Sequence, residues 1–312
     1  MTEESLIKPL GKRLKIAVFN RHFRPTAGGA ERYSIALVEN LATQHDIHVF
    51  AQQIDHAHPR VTYHRIPEPF EKPRWLNQLW FALATWWYTR HGSGAGFDVI
   101  HSHENTWHGQ VQTVHVLPIR YTLFQGRTGW KKALRWLKIA TSPRLLSYWL
   151  LEAARYRPQA GRQVVAASGT LADIMRQTYP ATAAYLSVIT PAITQVEPIP
   201  TAAEQQAARI QLGLPPAGFG LLMVANDFRR KGLPAVQEAL SQLKQKGVPV
   251  WLAVVGNSEP YSTEQGIYFL GKMSNPSVAY TAADCLVHPT LEDTFAMVVL
   301  EAMAHHRPVI VS

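Results

Sequence analysis

Cysteine is almost absent from this sequence. Cys285 is the single cysteine among 312 residues, which excludes an intramolecular disulfide framework and a multi-cysteine metal site and agrees with a reducing compartment. We interpret Cys285 as a buried apolar residue. The first residues, MTEESLIKPLGKR, contain acids and no apolar core, so they do not resemble a secretory signal. The sequence therefore predicts a cytoplasmic protein.

Long apolar runs and acidic residues are also scarce. The nearest approach to the roughly 18 apolar residues of a spanning helix is the stretch 75–88, which is flanked by Arg74 and Arg90 and interrupted by Asn77 and Gln78. A membrane span is therefore not expected. Lys and Arg number 31 against 22 Asp and Glu, a net charge of +9. This excess indicates an anionic partner: nucleic acid, a phosphosugar or a lipid headgroup.

Short β-branched runs alternate with helical stretches along the whole chain, a pattern typical of α/β proteins with parallel sheets. The first half predicts strands over 15–19, 46–51, 61–66, 98–101, 112–116, 163–167 and 185–189, and helices over 30–42 and 170–179, the second of them capped by Ser168. The second half predicts strands over 220–225, 250–255, 267–270, 285–288 and 308–311, and helices over 233–246, 277–283 and 295–304.

A proline-rich stretch with Pro191, Pro198 and Pro200 interrupts this alternation and predicts a linker. We therefore expect two domains, 14–195 and 196–312. The last predicted strand reaches the end of the chain without a covering helix. We interpret the second domain as incomplete and the chain as C-terminally truncated.

Two loops have the composition of an anion site. Gly28 and Gly29 lie where the chain enters a helix after the first strand, and paired glycines let backbone amides approach an anion. A plain tight turn explains them equally well, and the GxGxxG fingerprint is absent. In NDFRRKG, Arg229, Arg230 and Lys231 follow a predicted strand, at the sheet edge where ligands bind. Three cations suit a diphosphate, although a solvated basic turn has the same composition.

The segment HPTLEDTFAMVVLEAMA contains two acids eight residues apart, Asp293 and Glu301. Asp293 is predicted at the mouth of a helix, beside the amides of Thr294, Phe295 and Ala296, with Glu301 about two turns deeper. Carboxylates accept hydrogen bonds from sugar hydroxyls, and a helix start favours phosphate. The alternative is that Asp293 only complements the helix dipole and that Glu301 lies on a solvent-exposed face of the helix. The apolar neighbours of Glu301 make a purely solvated role less convincing.

The order of these motifs (GGAER, a histidine after the fifth predicted strand, RRKG, the two acids, then AMA and PVIVS) resembles family-four retaining glycosyltransferases of the group 1 type, over residues 14–312. NDFRRKG is most similar to the lipopolysaccharide-core glucosyltransferase branch. The resemblance implies the GT-B fold: two Rossmann-like α/β domains whose parallel sheets face a central cleft, the first binding acceptor and the second the nucleotide sugar.

The same resemblance implies a reaction. A sugar is expected to move, with retention, from a nucleoside-diphosphate sugar to a hydroxyl of a membrane-associated glycan or glycolipid, in lipopolysaccharide or surface polysaccharide biosynthesis. The resemblance implies UDP as the nucleotide of the donor, because it is the usual one in this family.

Site residues carry over from the resemblance by position. Gly28 and Gly29 match the loop under the donor diphosphate, and Arg230 and Lys231 match the pair that neutralises it. Asp293 and His115 match groups beside the transferred sugar, and Glu301 matches the glutamate that binds the ribose. Gly271 and Met273 match the strand end that contacts the base. The remaining donor-side assignments are Asn226, Arg229, Gly256, Glu292, Thr294, Phe295 and Ala296, and the acceptor or rim assignments are His103 and Glu31.

The sequence departs from the family pattern at two places. Asp293 stands where the family usually has Glu and follows Glu292, so either carboxylate could face the sugar. Asn226 stands where an arginine is usual, and Arg229 or Arg230 can compensate. No metal or other cofactor is expected, because side chains supply the charge that the departing diphosphate needs. A zinc site at His101, His103 and Glu104 is the alternative, but it lacks a further ligand at a recognisable spacing.

Residues 127–157 contain eight cations and one acid, Glu152, interleaved with aromatic residues. The cations are Arg127, Lys131, Lys132, Arg135, Lys138, Arg144, Arg155 and Arg157. This composition predicts an interfacial helix on anionic lipid, with 72–90 as a second contact. A core helix pair with basic outer faces is the alternative. No nucleic-acid motif accompanies the charge, so we expect a peripheral protein at the inner face of the cytoplasmic membrane.

Two rival functions remain open from the sequence. The first is a truncated, non-catalytic membrane-associated binding protein with the same fold. The second is a sugar-nucleotide epimerase of the same fold, which would release a free product without any acceptor.

Overall fold

The computed structural model describes residues 12–25, 28–92, 95–193, 195–257 and 265–312. Contacts divide the chain into two compact units, unit 1 (Met1–Thr190) and unit 2 (Pro191–Ser312). Each unit is an α/β structure built on a parallel sheet.

Unit 1 contains a seven-stranded sheet in the order β5-β3-β1-β6-β7-β8-β9, with every pairing parallel. Its strands are β1 (Lys15–Phe19), β3 (Asp46–Ala51), β5 (Val61–Arg65), β6 (Val99–Ser102), β7 (Val111–Val114), β8 (Gln163–Ala166) and β9 (Leu186–Val188). A small separate pair joins β2 (His22–Phe23) to β4 (Gln53–Ile54). The helices are α1 (Gly29–Leu41), α2 (Arg74–His91), α3 (Ile119–Phe124), α4 (Gly129–Thr141), α5 (Pro143–Arg155), α6 (Gly169–Thr178) and a 3₁₀ helix, Pro180–Tyr185.

The central strand β1 is buried on both faces, and its successive side chains point to opposite faces of the sheet. On one face of β1, Ile16 and Val18 pack in a cluster with Val38 of α1. On the opposite face, Phe19 packs in a cluster with Phe81 of α2. These contacts fix the two helices and with them the loops at the carboxyl ends of the strands.

Unit 2 contains a five-stranded parallel sheet in the order β12-β11-β10-β13-β14. Its strands are β10 (Phe219–Ala225), β11 (Val250–Gly256), β12 (Ile267–Gly271), β13 (Cys285–His288) and β14 (Val309–Val311). Its helices are α7 (Ala202–Gln211), α8 (Leu233–Gln245), α9 (Ser277–Ala282) and α10 (Met297–Ala304). Met223 packs in a cluster with Leu240 of α8, whereas Leu222 on the other face packs in a cluster with Tyr280 of α9 and Ala302 of α10.

Most predicted elements are confirmed within a few residues, including the Ser168 cap, which accepts the Leu171 N–H at 3.2 Å. Cys285 is buried, as predicted. Strand β7 ends at Val114, so His115 follows the strand instead of lying within it. Strands β2 and β4 and helix α7 were not predicted, although α7 begins with a capping box between Thr201 and Glu204 that the sequence could have indicated.

The predicted start of the last helix was wrong. Helix α10 begins at Met297, two residues later than expected, so Thr294, Phe295 and Ala296 lie in the turn before it. The Asp293 carboxylate accepts the Phe295 N–H at 3.3 Å, and Ala296 has non-helical torsions of φ −83° and ψ 86°. This local bond competes with the helical conformation.

No helix within the described ranges is long and apolar enough to cross a bilayer.

Candidate functional site

The carboxyl ends of β10 and β13 form the natural ligand position of unit 2. The chain runs from β10 outward to β11 and β12, and then returns to place β13 on the other side of β10. At such a reversal the loops after the two central strands diverge, and ligands bind in the resulting crevice. The loop 226–232 and the loop 289–296 therefore flank the position at which a ligand is expected.

The two loops approach each other closely at Gly232. This residue has φ 86°, and a Cβ added there would lie 1.9 Å from the Pro289 carbonyl oxygen. Only glycine meets both requirements. One residue pair further out, the Leu291 N–H donates to the Arg230 carbonyl oxygen at 2.9 Å. The loop that carries the predicted cations is thereby fixed against the loop that carries the predicted acid.

Lys231 and Asp293 meet across these loops. The Lys231 Nζ lies 2.5 Å from Asp293 Oδ2, and His288 Nε2 lies 3.0 Å from the same oxygen. Asp293 lies on an exposed turn, but its carboxylate points inward: side-chain exposure is 20% for Asp293, 15% for Lys231 and 3% for His288. Burial alone would raise the pKa of Asp293, but the hydrogen bonds from His288 and Lys231 outweigh it and lower that pKa. Asp293 is therefore an anion at neutral pH.

Arg229 and Arg230 lie on the exposed side of the same loop. The Asp227 carboxylate accepts the Arg230 N–H at 3.1 Å, and its other oxygen lies 3.4 Å from Arg230 Nε. This turn holds the Arg230 backbone, while the Arg230 side chain is 51% exposed. A guanidinium in this position remains available to an anion from solvent.

Glu301 lies in α10, and a buried tyrosine orients it. The Tyr280 hydroxyl donates to Glu301 Oε2 at 2.8 Å, and the Tyr280 ring stacks on His305 with centroids 4.9 Å apart. The His305 Nδ1 in turn lies 2.7 Å from the Glu301 carbonyl oxygen. Sequence reasoning missed both Tyr280 and His288, because neither stands at a spacing that indicates its partner.

The other residues assigned to the donor side lie mainly at the carboxyl edge of the same sheet. Ala225 pairs with Gly256 at the ends of β10 and β11, and Gly271 ends β12. Gly256 has φ 148°, and a Cβ there would lie 1.6 Å from the Ala225 carbonyl oxygen, so its glycine has a structural explanation. The Asn226 carbonyl oxygen accepts a hydrogen bond of 2.8 Å from Asn257 Nδ2. Glu292 is exposed, whereas Met273 is partly buried and packs against the core on one face of the sheet.

Unit 1 has its own chain reversal, between β1 and β6. The loops after these strands carry Arg21 and Glu104, whose side chains meet at 3.0 Å between Nε and Oε2. Burial alone would raise the pKa of Glu104, but the charge of Arg21 and two hydrogen bonds from it lower that pKa. Glu104, one of the three residues of the alternative zinc site, is thus paired with Arg21 in this structure. No group of three or more His, Cys, Asp or Glu residues in the described part of the chain has a metal-binding arrangement.

Three histidines form a stack beside this reversal. The His101 and His103 rings lie 4.4 Å apart, and His103 Nδ1 lies 2.9 Å from His115 Nε2. The Tyr33 ring of α1 meets His115 edge-on at 5.4 Å. Burial, reinforced by the charge of Arg155, lowers the pKa of His101 and of His115 to about 4. His115 is therefore neutral at physiological pH and can act through a hydrogen bond, not through charge.

Gly28, Gly29 and Glu31 lie at the start of α1. Gly29 is the first helical residue, and the Gly28 carbonyl oxygen accepts the Arg32 N–H at 3.1 Å. A Cβ at Gly28 would lie 2.9 Å from Glu31 Oε2. Burial raises the pKa of Glu31, and the charge of Glu104 acts in the same direction. Gly28, Glu31, His103 and His115 thus belong to the same edge of unit 1.

Helices α4 and α5 form the basic helical hairpin. Trp130 is 70% and Leu137 61% exposed. The hairpin and its flanks also carry exposed cations, namely Lys131, Lys132, Lys138, Arg144 and Arg157. On α2, Leu83, Trp87 and Tyr88 are exposed, whereas the opposite side packs in the core.

Two charged residues of this segment do not belong to its surface. Arg155 was counted as a surface cation, but it is buried and donates from Nε to Gln112 Oε1 at 3.0 Å and from Nη2 to the Thr113 carbonyl oxygen at 2.6 Å. Glu152 is also buried, where it accepts the Ile119 N–H at 2.5 Å and the Tyr179 hydroxyl at 2.7 Å. These bonds compensate for the loss of hydration.

Comparison with solved structures identifies chains of similar fold. WaaG, a glycosyltransferase involved in lipopolysaccharide biosynthesis, is 21% identical with a TM-score of 0.77, over 95% of this chain and 80% of that one. Sucrose-phosphate synthase from Thermosynechococcus elongatus is 23% identical with a TM-score of 0.70, over 96% and 81%. Anabaena HepE, solved in complex with UDP and glucose, is 17% identical with a TM-score of 0.67, over 96% and 80%. No curated protein matches the chain significantly.

Family models match both parts of the chain. The model described as Glycosyltransferase Family 4 matches residues 27–194, and the model described as Glycosyl transferases group 1 matches residues 218–312. Together with the α/β units and their parallel sheets, these matches confirm the GT-B fold that the motif order predicted. Since the first model alone matches more than half of the chain, this protein belongs to glycosyltransferase family 4 and is a glycosyltransferase.

Proposed function

We propose that this enzyme transfers a sugar, with retention, from a nucleoside-diphosphate sugar to a hydroxyl of a membrane-associated glycan or glycolipid. Residues 196–312 would bind the donor and residues 14–195 the acceptor. The observation that carries the proposal is the convergence of Lys231 and Asp293 at the chain reversal of unit 2, 62 residues apart in sequence.

The contacts of Lys231 support a diphosphate site. Its ammonium is largely buried and has a single carboxylate partner in the ion pair, while Arg230 beside it is half exposed. A diphosphate that reaches this position meets a point charge and a guanidinium fork, the pairing that best neutralises phosphate oxygens. Fixed cations aimed at the departing diphosphate stabilise the charge that develops during transfer.

Two carboxylates, Glu301 and Asp293, would bind the ribose and the sugar of the donor. Glu301, oriented by Tyr280, would accept hydrogen bonds from the ribose, and Asp293 would face the donor sugar. The edge formed by Gly256, Gly271 and Met273 would contact the base. Uracil is the base we propose, and the UDP complex of Anabaena HepE supports a UDP-sugar as the first donor to test.

The proposed acceptor is a glycan or glycolipid of lipopolysaccharide or surface polysaccharide. The lipopolysaccharide role of WaaG supports this choice. In unit 1, the neutral His115, held by His103, would hydrogen-bond a hydroxyl at the acceptor side.

We further propose that the basic helical hairpin binds the cytoplasmic membrane at its inner face. Exposed Trp130 and Leu137 lie near exposed Lys131, Lys132 and Lys138, and apolar insertion with cationic attraction is the combination that binds anionic lipid. Flotation with phosphatidylglycerol vesicles at low salt should recover the protein, whereas phosphatidylcholine vesicles should not. A variant with Trp130→Ser and Lys131→Ser should lose flotation, and equal recovery of the variant and the wild type would contradict the proposal.

Sugar transfer itself is tested with radiolabelled UDP-sugars and truncated lipopolysaccharide as acceptor. The expected result is a product whose mass grows by one sugar only when both substrates are present. A free epimerised sugar nucleotide formed without acceptor would contradict the proposal and indicate an epimerase. Failure of every nucleotide sugar to bind in calorimetry would contradict it in favour of a non-catalytic binding protein.

A further inference from the structure

A polar cavity of 620 Å³ lies in unit 1, apart from the residues discussed above. Its size falls within the range of about 300–1,000 Å³ that small-molecule sites occupy. The residues that line it include Arg24, Gln52, Gln53, Asp55, Arg65 and Glu68. They come from the loop after β2, from the ends of β3 and β5, and from β4, so the cavity opens at the carboxyl edge of the sheet.

Hydrogen bonds fix one wall of this cavity in place. The Glu68 carboxylate accepts from Asn77 Nδ2 at 2.9 Å and from Gln53 Nε2 at 3.0 Å. Gln52 and Asn77, both buried, exchange two amide hydrogen bonds of 2.7 and 3.0 Å. Each Glu68 oxygen has one amide donor and keeps capacity for another. The carboxylate is therefore oriented in advance of any ligand.

Two arginines, Arg24 and Arg65, also line the cavity. Arg24 Nε is buried and has no hydrogen-bond partner among the described residues, and its Nη1 lies 3.8 Å from Asp55 Oδ2, beyond hydrogen-bond distance. Arg65 ends β5 with an exposed side chain. An unpartnered buried donor costs free energy that a ligand acceptor would recover.

The balance of charge selects the class of ligand. Two arginines and two acids line the cavity, so their formal charges cancel, and a phosphate placed here would lie near Glu68 or Asp55. A pyranose presents hydroxyls that each donate one hydrogen bond and accept others. Fixed carboxylate acceptors, guanidinium donors and amide side chains match that pattern.

We propose that this cavity binds a neutral sugar unit of the acceptor glycan, with Glu68 accepting from its hydroxyls and Arg24 and Arg65 donating to them. The proposal rests on the acceptor assignment of unit 1 made above. The position of the cavity supports it: His22 Nδ1 lies 3.2 Å from Gln53 Oε1, and Arg24 is four residues before Gly28 in the sequence. A glycan in the cavity would lie at the same sheet edge as His103 and Glu31.

The test has matched controls. Arg65→Ala and Glu68→Gln alter the cavity, whereas Arg60→Ala, just before β5, and Glu71→Gln, three residues beyond Glu68, alter exposed residues outside it. Saturation-transfer NMR with methyl hexopyranosides as neutral probes should detect binding to the wild type and both controls and little binding to the two cavity variants. Preference for glucose 6-phosphate or glucuronate over the neutral probes, or equal signals in all variants, would overturn the proposal.

Kinetics provide the second measurement. Arg65→Ala should raise the acceptor KM about tenfold, as the loss of a hydrogen bond from a charged group implies, with the donor KM and donor hydrolysis without acceptor unchanged. An unchanged acceptor KM in a protein that still transfers sugar would refute the cavity assignment alone. Absence of nucleotide-sugar binding in the wild type would refute the proposed function, while the NMR result would still decide whether the cavity binds sugars. Since Arg65 is exposed, its variant decides the question even if Glu68→Gln does not fold.

Discussion

The Lys231 Nζ lies 2.5 Å from Asp293 Oδ2, and His288 Nε2 lies 3.0 Å from the same oxygen. The cation that we propose for the donor diphosphate is thus paired with the acid that we propose for the donor sugar. If both proposals hold, the Asp293 carboxylate competes with the diphosphate for the Lys231 ammonium. We therefore expect opposite effects on UDP affinity when Lys231 and Asp293 are substituted.

Lys231→Met should weaken binding of UDP and of UDP-sugar about tenfold to a hundredfold, because a charged hydrogen bond to phosphate contributes about 1.5–3 kcal/mol. Isothermal titration calorimetry measures this change in affinity. Lys246→Met, at the other end of α8, is the control and should bind as the wild type does. Equal affinity in Lys231→Met and wild type would remove Lys231 from the diphosphate site.

Asp293→Asn should act differently on binding and on turnover. UDP should bind as tightly as to the wild type or several-fold tighter, because the competing anion is gone, whereas kcat for sugar transfer should fall at least about a hundredfold if the carboxylate acts in the transition state. Glu292→Gln is the matched neighbour. Loss of turnover in Glu292→Gln with retained turnover in Asp293→Asn would assign the sugar-facing role to Glu292.

Tyr280→Phe removes the hydroxyl that orients Glu301 and leaves the ring stacked on His305. The KM for the donor should rise about fivefold, as the loss of one hydrogen bond of roughly 1 kcal/mol implies, with little change in kcat. Tyr268→Phe in β12 serves as the control. A fall in kcat at constant donor KM would show that Tyr280 acts through something other than ribose binding.

Stability should depend on pH through the histidine stack. The pKa of His101 and of His115 is about 4 in the folded protein against about 6.5 in an unfolded chain. The unfolded state therefore binds more protons below pH 6.5, and each histidine lowers the free energy of unfolding by up to about 1.4 kcal/mol per pH unit between pH 6.5 and 4. Above pH 6.5 neither contributes.

Urea unfolding at several pH values measures this slope. His101→Gln should show a shallower loss of stability on acidification than the wild type, whereas His91→Gln, at the end of α2, should leave the slope unchanged. A His101→Gln protein with the wild-type slope would show that the stack is not the origin of the acid sensitivity.

The sequence predicted the sheets well because their strands are short β-branched runs buried on both faces, and burial of this kind is visible in the residues themselves. It also placed Lys231 and Asp293 correctly in the loops after β10 and β13, since carboxyl ends of parallel strands share one edge. Their direct contact could not be predicted, because it depends on Gly232 lying against Pro289, a relationship between distant segments.

Buried polar residues were the main failure of sequence reasoning. Arg155 and Glu152 read as charges of a basic surface segment, yet each is buried and hydrogen-bonded to partners that the spacing does not indicate. The start of α10 was misplaced for a related reason: the Asp293 side chain binds a local amide and delays the helix. Tyr280 and His288 were missed because their function lies in orienting an acid elsewhere in the chain.

The buried Arg155 joins two regions to which different roles are assigned. It ends α5 of the basic helical hairpin, and its guanidinium holds Gln112 and Thr113 in the strand that leads directly to His115. Arg155 therefore connects the proposed membrane contact to the strand that precedes the proposed acceptor residue. If both proposals hold, a displacement of the hairpin at a lipid surface would be transmitted through Arg155 to the residues next to His115.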